Sequence, residues 1–192
     1  MSIILACGPG LTEGTVNEPC KFTILPQTGS STFDASLCSV AFEGPSRPDI
    51  KFMNKNDGTV DCYWTPMLPG VYKIYIRYED KETAFSPFSC KVIGGDELAK
   101  RQVSRIKCAG QALEHGRTHV TNEVIIDTRD SGIVGGLNVA MEGPSKPDLS
   151  FKNTKPGILV LQYKPNTPGN YKLNLKFGDF QLPGSPFNIK VT

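Results

Sequence analysis

Catalysis near neutral pH usually needs a poised base, and this 192-residue chain holds two histidines, both in Glu114-His-Gly-Arg-Thr-His119. A spacing of four would set His115 and His119 on one helix face, as in many zinc sites. Gly116 interrupts that pattern, and in a loop running into a strand, residues four apart lie about 13 Å from one another. They read as surface histidines. The six cysteines, Cys7, Cys20, Cys38, Cys62, Cys90 and Cys108, invite a disulfide framework by their even number. No CxxC spacing suggests zinc or a redox pair. Gly8-Pro9-Gly10, Gly94-Gly95 and Gly135-Gly136 match no dinucleotide or phosphate loop, and the acids lack the spacing of a calcium loop. The expectation is a protein that is not an enzyme and takes no metal and no cofactor.

Charge excludes more. The 21 basic and 19 acidic residues leave a net charge of +2, too little to steer nucleic acid. Lys100-Arg101 with Arg105 and Lys107 reads as a solvated linker. Met1–Gly10 (MSIILACGPG) lacks the basic start of a leader and reads as a first strand. No stretch approaches the 18 or so apolar residues of a membrane span, so a soluble chain without membrane insertion is expected. With 19 glycines, 15 prolines and short runs of Val, Ile, Thr, Phe and Tyr, the composition leans all-β.

The chain repeats itself. EGPSRPDIKF at Glu43–Phe52 returns as EGPSKPDLSF at Glu142–Phe151, and Val40–Val92 aligns with Val139–Val191 without a gap at an offset of 99. Pro69-Gly70-Val-Tyr72 matches Pro168-Gly169-Asn-Tyr171, and Ser86-Pro-Phe88 matches Ser185-Pro-Phe187. Upstream the register slips by about two residues. A period near 100 is too long for a solenoid, so these are two copies of one domain, 1–93 and 105–192, joined by a linker at 94–104. Cys7, Cys20, Cys38, Cys62 and Cys90 all fall in the first copy, which argues for reduced, mostly buried thiols rather than bridges.

Turn signals arrive about every ten residues within each copy. In the second copy they separate apolar segments at Val103–Cys108, Val120–Ile126, Leu137–Met141, Leu149–Phe151, Ile158–Tyr163, Tyr171–Phe177 and Phe187–Val191. Tyr171-Lys-Leu-Asn-Leu-Lys-Phe177 alternates strictly, as does Tyr72-Lys-Ile-Tyr-Ile-Arg-Tyr78, giving one buried and one wet face. Seven such strands in about 95 residues describe an immunoglobulin-like sandwich, with Tyr72 and Tyr171 placed for a tyrosine corner. The antibody cysteine pair is missing, and Trp64 has no second Trp opposite it in the repeat.

Asp127-Thr-Arg-Asp-Ser-Gly132, Gly135–Ser145, Pro168–Tyr171 and Pro183–Phe187 together resemble the immunoglobulin-like repeats of filamin. The first copy resembles them through Cys7–Leu11, Glu43–Ser46, Asn56–Thr59, Pro69–Tyr72 and Ser86–Phe88. It departs at PQTGSSTFDAS, and Ser36-Leu37 stands where the second copy has Gly135-Gly136. The resemblance implies two tandem filamin-type sandwiches from a cytoplasmic, cytoskeletal scaffold. Actin would then be bound only by a helical head that nothing here resembles. Partners would be receptor or integrin-type cytoplasmic tails and cytoskeletal adaptors, docking as extended peptides alongside strand C and over strand D.

Mapped onto this sequence, the implied groove in the second copy comprises Gly136, Leu137, Asn138, Val139, Ala140, Met141, Ser145, Leu149 and Phe151. A weaker one in the first copy comprises Cys38, Ser39, Val40, Ala41, Phe42, Ile50 and Phe52. The double glycine lets a second backbone approach, and Asn138 and Ala140 leave room above the strand. Taken alone, Leu137, Val139 and Met141 read as core; the resemblance assigns the set to a groove. Two alternatives stand beside this: a rod spacer that binds nothing, and an extracellular adhesion fragment. The latter predicts disulfides and sequons, and the chain contains no Asn-x-Ser/Thr site.

Overall fold

The computed structural model describes residues 4–27 and 33–192. The chain divides into two compact units, Met1–Asp96 and Glu97–Thr192. In the first unit the strands are β1 (Ile4–Cys7), β2 (Glu13–Thr15), β3 (Cys20–Pro26), β4 (Cys38–Glu43), β5 (Asp49–Asn54), β6 (Val60–Thr65), β7 (Gly70–Tyr78), β8 (Lys81–Glu82) and β9 (Phe88–Ile93). They form two sheets, ordered β1-β3-β6-β5 and β2-β9-β7-β4, with β8 also on β7. Helix α1 (Asp96–Ser104) follows. The second unit repeats the plan with β10 (Lys107–Ala109), β11 (His115–Gly116), β12 (Asn122–Asp127), β13 (Leu137–Glu142), β14 (Asp148–Lys155), β15 (Ile158–Lys164), β16 (Gly169–Phe177), β17 (Phe180–Gln181) and β18 (Phe187–Val191). Each unit is an all-β, immunoglobulin-like sandwich of two open sheets.

Each repeat has two more strands than the seven expected: one is the two-residue β8 or β17 beside β7 or β16, and the other comes from a break in the first strand. The first strand splits at Gly8 and at Gly110, whose φ angles of 139° and 129° turn the chain through a short 3-10 turn. Its first half stays in one sheet and its second half crosses to pair in parallel with β9 or β18. The 3-10 turn is clamped from the core: Trp64 Nε1 donates to Gly10 O at 3.0 Å, and Tyr163 Oη to Ala112 O at 2.6 Å. Tyr163 thus fills the role of the unmatched Trp64. The expected strand from Val103 is also corrected, because α1 runs through Ser104 and β10 begins at Lys107. The DELAKRQ run favours helix over the β-leaning Val103. Gly94 and Gly95, at φ 82° and 70°, turn the chain into it.

The register slip is three residues, since Cys20 pairs with Trp64 as Asn122 pairs with Tyr163. The extra length lies between β3 and β4, in the stretch where PQTGSSTFDAS departs; residues 28–32 of it, like 1–3 of the first-strand segment, lie outside the described residues.

The duplicated EGPS and Pro-Gly-x-Tyr motifs prove to be two halves of one lock. Tyr72 Oη donates to Leu68 O at 2.9 Å and lies 2.9 Å from Ser46 Oγ. Tyr171 does the same with Thr167 O (2.8 Å) and Ser145 Oγ (2.9 Å). A Cβ at Gly44 would lie 2.5 Å from Tyr72 Cδ1, and one at Gly143 would collide with the Tyr171 ring. Pro45 and Pro144 close the other side, each leaving 2.6 Å for a Cβ at Gly70 or Gly169, whose φ angles are 138° and 142°. The glycine, proline and serine of the repeated decapeptide's head are therefore each in contact with the lock.

On the outer face of the first repeat, Asp61 is 1% exposed yet charged. Lys21 and Lys55 each reach it at 2.9 Å, and Thr23 Oγ1 donates to it at 2.7 Å. The second repeat has Val160 there, which needs no such cluster. Lys21 first, then Lys55 and Thr23, hold the Asp61 carboxyl well below the usual carboxylate range.

Tyr171→Phe lowers unfolding free energy by about 1–3 kcal/mol, read from urea melts, because Thr167 O and Ser145 lose their partner; an unchanged midpoint would contradict the lock. Asp61→Asn destabilises the protein at pH 7, and the gap to wild type narrows as pH falls below about 4. The folded carboxyl titrates below its unfolded value, so its contribution is present above that value and lost under it. A gap independent of pH would contradict the ion cluster.

Candidate functional site

The two sides of each sandwich differ. On one side the split first strand and its clamped turn bridge the sheets. On the other, among the described residues, β4 pairs only with β7 and β5 only with β6; likewise β13 pairs only with β16 and β14 only with β15. Each repeat therefore presents two unpaired edges facing the same gap.

Register shows what lines that gap. Leu137, Val139 and Met141 stand opposite Phe177, Leu175 and Leu173, all 0% exposed, so they point into the sandwich. Nevertheless they are only half-buried. Leu149 and Phe151 stand opposite the buried Tyr163 and Leu161, yet are 39% and 50% exposed. Side chains on a core-facing side remain wet because none of the described residues covers them. The result is an apolar mouth between β13 and β14, flanked by a free backbone edge. Asn138 and Ala140 lie on the opposite, outer face and are exposed.

Two expected residues have other work. Ser145 is bound to Tyr171 at the corner between β13 and β14, so it shapes the mouth from behind. Gly135 and Gly136 have φ angles of 69° and 76°, which side chains tolerate poorly; the pair is there for the left-handed entry into β13. In the first repeat a 3-10 turn, Ala35–Leu37, makes the same entry. Asp34 caps it, accepting from Ser36 N at 2.9 Å and Ser36 Oγ at 2.7 Å. That is why Ser36-Leu37 can replace the glycines.

The first mouth is better filled. Cys38, Val40, Phe42 and Ile50 pack against the core cluster, and the Phe42 ring lies 5.0 Å from that of Trp64. Phe52 remains 54% exposed, while Ser39 and Ala41 face outward. Burial, and then Asp34, push the Cys38 thiol up to about 11, which disfavours its thiolate near neutral pH. Cys62 and Cys90 are pushed by burial up to about 12. All six cysteines are unbridged; Cys20, Cys62 and Cys90 are buried, and Cys7 is exposed. His115 and His119 are both exposed, and His119 sits at φ 62° in a turn. Among the described residues no cluster of His, Cys, Asp or Glu could hold a metal, and no helix is long and apolar enough to cross a membrane.

Two tandem immunoglobulin-like sandwiches, each with an open mouth at one edge, define the class. The Filamin/ABP280 repeat model matches residues 2–89 and 101–188, and the chain belongs to the filamin repeat family. Filamin-A of Drosophila melanogaster is 29% identical over 98% of this chain and 12% of its own length. Filamin-C of Rattus norvegicus is 28% identical over 98% of this chain and 10% of its own length. The chain thus spans about a tenth of these relatives. Among solved structures, the Lin-41 filamin domain aligns with 47% of this chain and 94% of its own, at 14% identity and a TM-score of 0.42.

Exposure predicts an unequal response to truncation. Leu175→Ala costs about 2–5 kcal/mol as a core cavity, whereas the half-exposed Phe151→Ala costs about 1 kcal/mol. Equal losses in urea melts would mean that the mouth is closed in solution.

Proposed function

We propose that this chain is a segment of a filamin-type interaction scaffold that binds extended peptides by strand addition to β13, their side chains filling the mouth toward β14. The single observation carrying this is the set of core-facing apolar residues left uncovered beside an unpaired strand edge. The second repeat is the better site, because β13 is entered through two side-chain-free residues and its floor residues Leu149 and Phe151 are both exposed. The groove residues are Gly136, Leu137, Asn138, Val139, Ala140, Met141, Leu149 and Phe151, with Ser145 holding the corner. Cys38, Ser39, Val40, Ala41, Phe42, Ile50 and Phe52 make the weaker site.

Magnitudes favour modest affinity. Four to six backbone hydrogen bonds contribute about 0.5–1.5 kcal/mol each, and two or three buried apolar side chains roughly 1.5–3 kcal/mol each. Association costs about 4–15 kcal/mol. The balance is of order micromolar or weaker for one peptide, and avidity in a longer array would raise it. Receptor or integrin-type cytoplasmic tails and cytoskeletal adaptor segments fit as partners, in the cytoplasm at the cytoskeleton, where six unbridged thiols persist.

Titrating receptor-tail peptides into the isotope-labelled 192-residue chain tests this by NMR. The expected shifts begin at β13 and β14, appear at β4 and β5 only at higher peptide concentration, and weaken about tenfold or more with Phe151→Ser. Peptides that perturb neither mouth would leave a rod spacer as the reading.

A further inference from the structure

The two repeats carry a cation at the same place beside the open edge, but only one of them neutralises it. On the outer face of the first repeat, Arg77 stands opposite Ser39 on one side and Glu82 on the other. Its guanidinium reaches Glu82 Oε1 at 3.5 Å. The equivalent cation in the second repeat is Lys176, opposite Asn138 and Gln181. Glutamine has replaced the counter-ion. Moreover, Gln181 Oε1 is turned away to accept from Ser185 Oγ at 2.7 Å. Lys176 is half-buried, and among the described residues no carboxylate pairs with it; Asp179, three residues on, is exposed in the turn.

We infer that Lys176 is a specificity-determining cation that selects, in a strand docked on β13, a carboxylate side chain on the outward face opposite Asn138. The inference rests on the strand-addition reading. Geometry supports it in three steps. Asn138 and Lys176 are cross-strand partners, so their side chains share the outer face. A strand added to the free edge of β13 puts its residue opposite Asn138 on that same face. That residue lies two strand spacings, about 10 Å, from β16. The four-carbon stem of lysine and the side chain of a glutamate span the gap, and the short Asn138 between them obstructs neither.

Elsewhere along the edge the charges differ. Glu142 stands opposite Lys172, so the other end of β16 already has an acid in register. Ala140 and Asn174 between them are neutral. The recognition element is therefore a single acid at one outward position, with apolar residues on either side of it pointing into the mouth. The first repeat, where Glu82 occupies Arg77, should show no such preference.

The test is a selection with synthetic peptides that fix Val or Ile at alternate positions and randomise those between, using the full chain as bait. Wild type enriches Glu or Asp at one outward position. In follow-up titrations the Glu peptide binds roughly two- to fivefold tighter than its Gln counterpart at low salt, and the margin shrinks as salt rises. Lys176→Gln abolishes the preference and Lys176→Glu shifts it to Lys or Arg. Gln181→Glu, which installs the first repeat's counter-ion, weakens it while leaving the mouth intact. Both positions lie on the outer face of the sheet, outside the core, and thermal melts of the three variants check folding. Enriched peptides with no acidic bias, or with the same bias for Lys176→Glu, overturn the assignment alone. No enrichment over a Phe151→Ser bait overturns the reading of the groove and the assignment with it.

Discussion

One buried tyrosine hydroxyl in each repeat organises everything else. Tyr72 and Tyr171 each reach back four residues to a carbonyl and across to the serine of the Glu-Gly-Pro-Ser corner. The ring presses on the corner glycine, and the corner proline presses on the glycine that opens β7 or β16. The contact ties the end of the strand preceding the corner to the start of its neighbour in the same sheet. It also sets where the chain leaves that sheet to begin β5 or β14 in the other. A buried phenol without these partners would cost about 1–3 kcal/mol, which is the reason the motif letters come as a set.

From that corner the asymmetry of the sandwich follows. On the far side, the chain itself bridges the sheets through a 3-10 turn that Trp64 or Tyr163 fastens to the core. On the near side, the corner directs one edge strand into each sheet and supplies nothing to fill the gap between them. The core-facing Leu149 and Phe151 are left at 39% and 50% exposure as a result. The lock that stabilises each repeat is thus also the device that holds its mouth open. It does this from a position where Ser145 touches Tyr171 and needs no ligand.

Much of this was legible in the residues. Alternation in Tyr72–Tyr78 and Tyr171–Phe177 marked the central strands and their wet faces, and the duplicated decapeptide located the corners. What escaped were facts made of register. The serine–tyrosine bond joins positions 26 apart, and nothing local announces it. The likeness of Tyr163 to Trp64 is hidden by residue type, since only the shared donation to a turn carbonyl reveals it. Val103 suggests strand because it is β-branched, but the helix formers before it prevail. In the sequence Gly135 and Gly136 suggest space for a visiting backbone; their positive φ angles give a reason internal to the chain. Lys176 is visible as a wet-face residue, but its want of a counter-ion shows only in the register, which sets Gln181 opposite it where Glu82 stands opposite Arg77.

The central claim is that the free edge of β13 accepts a strand. Hydrogen exchange of the β13 amides in the full chain, with and without a saturating receptor-tail peptide, tests it most directly. Strand addition predicts that alternate β13 amides, those facing away from β16, slow on binding while β12 and β15 amides stay unchanged. Protection confined to loops or to the outer face of the sheets, with the β13 edge exchanging as fast as before, would contradict it.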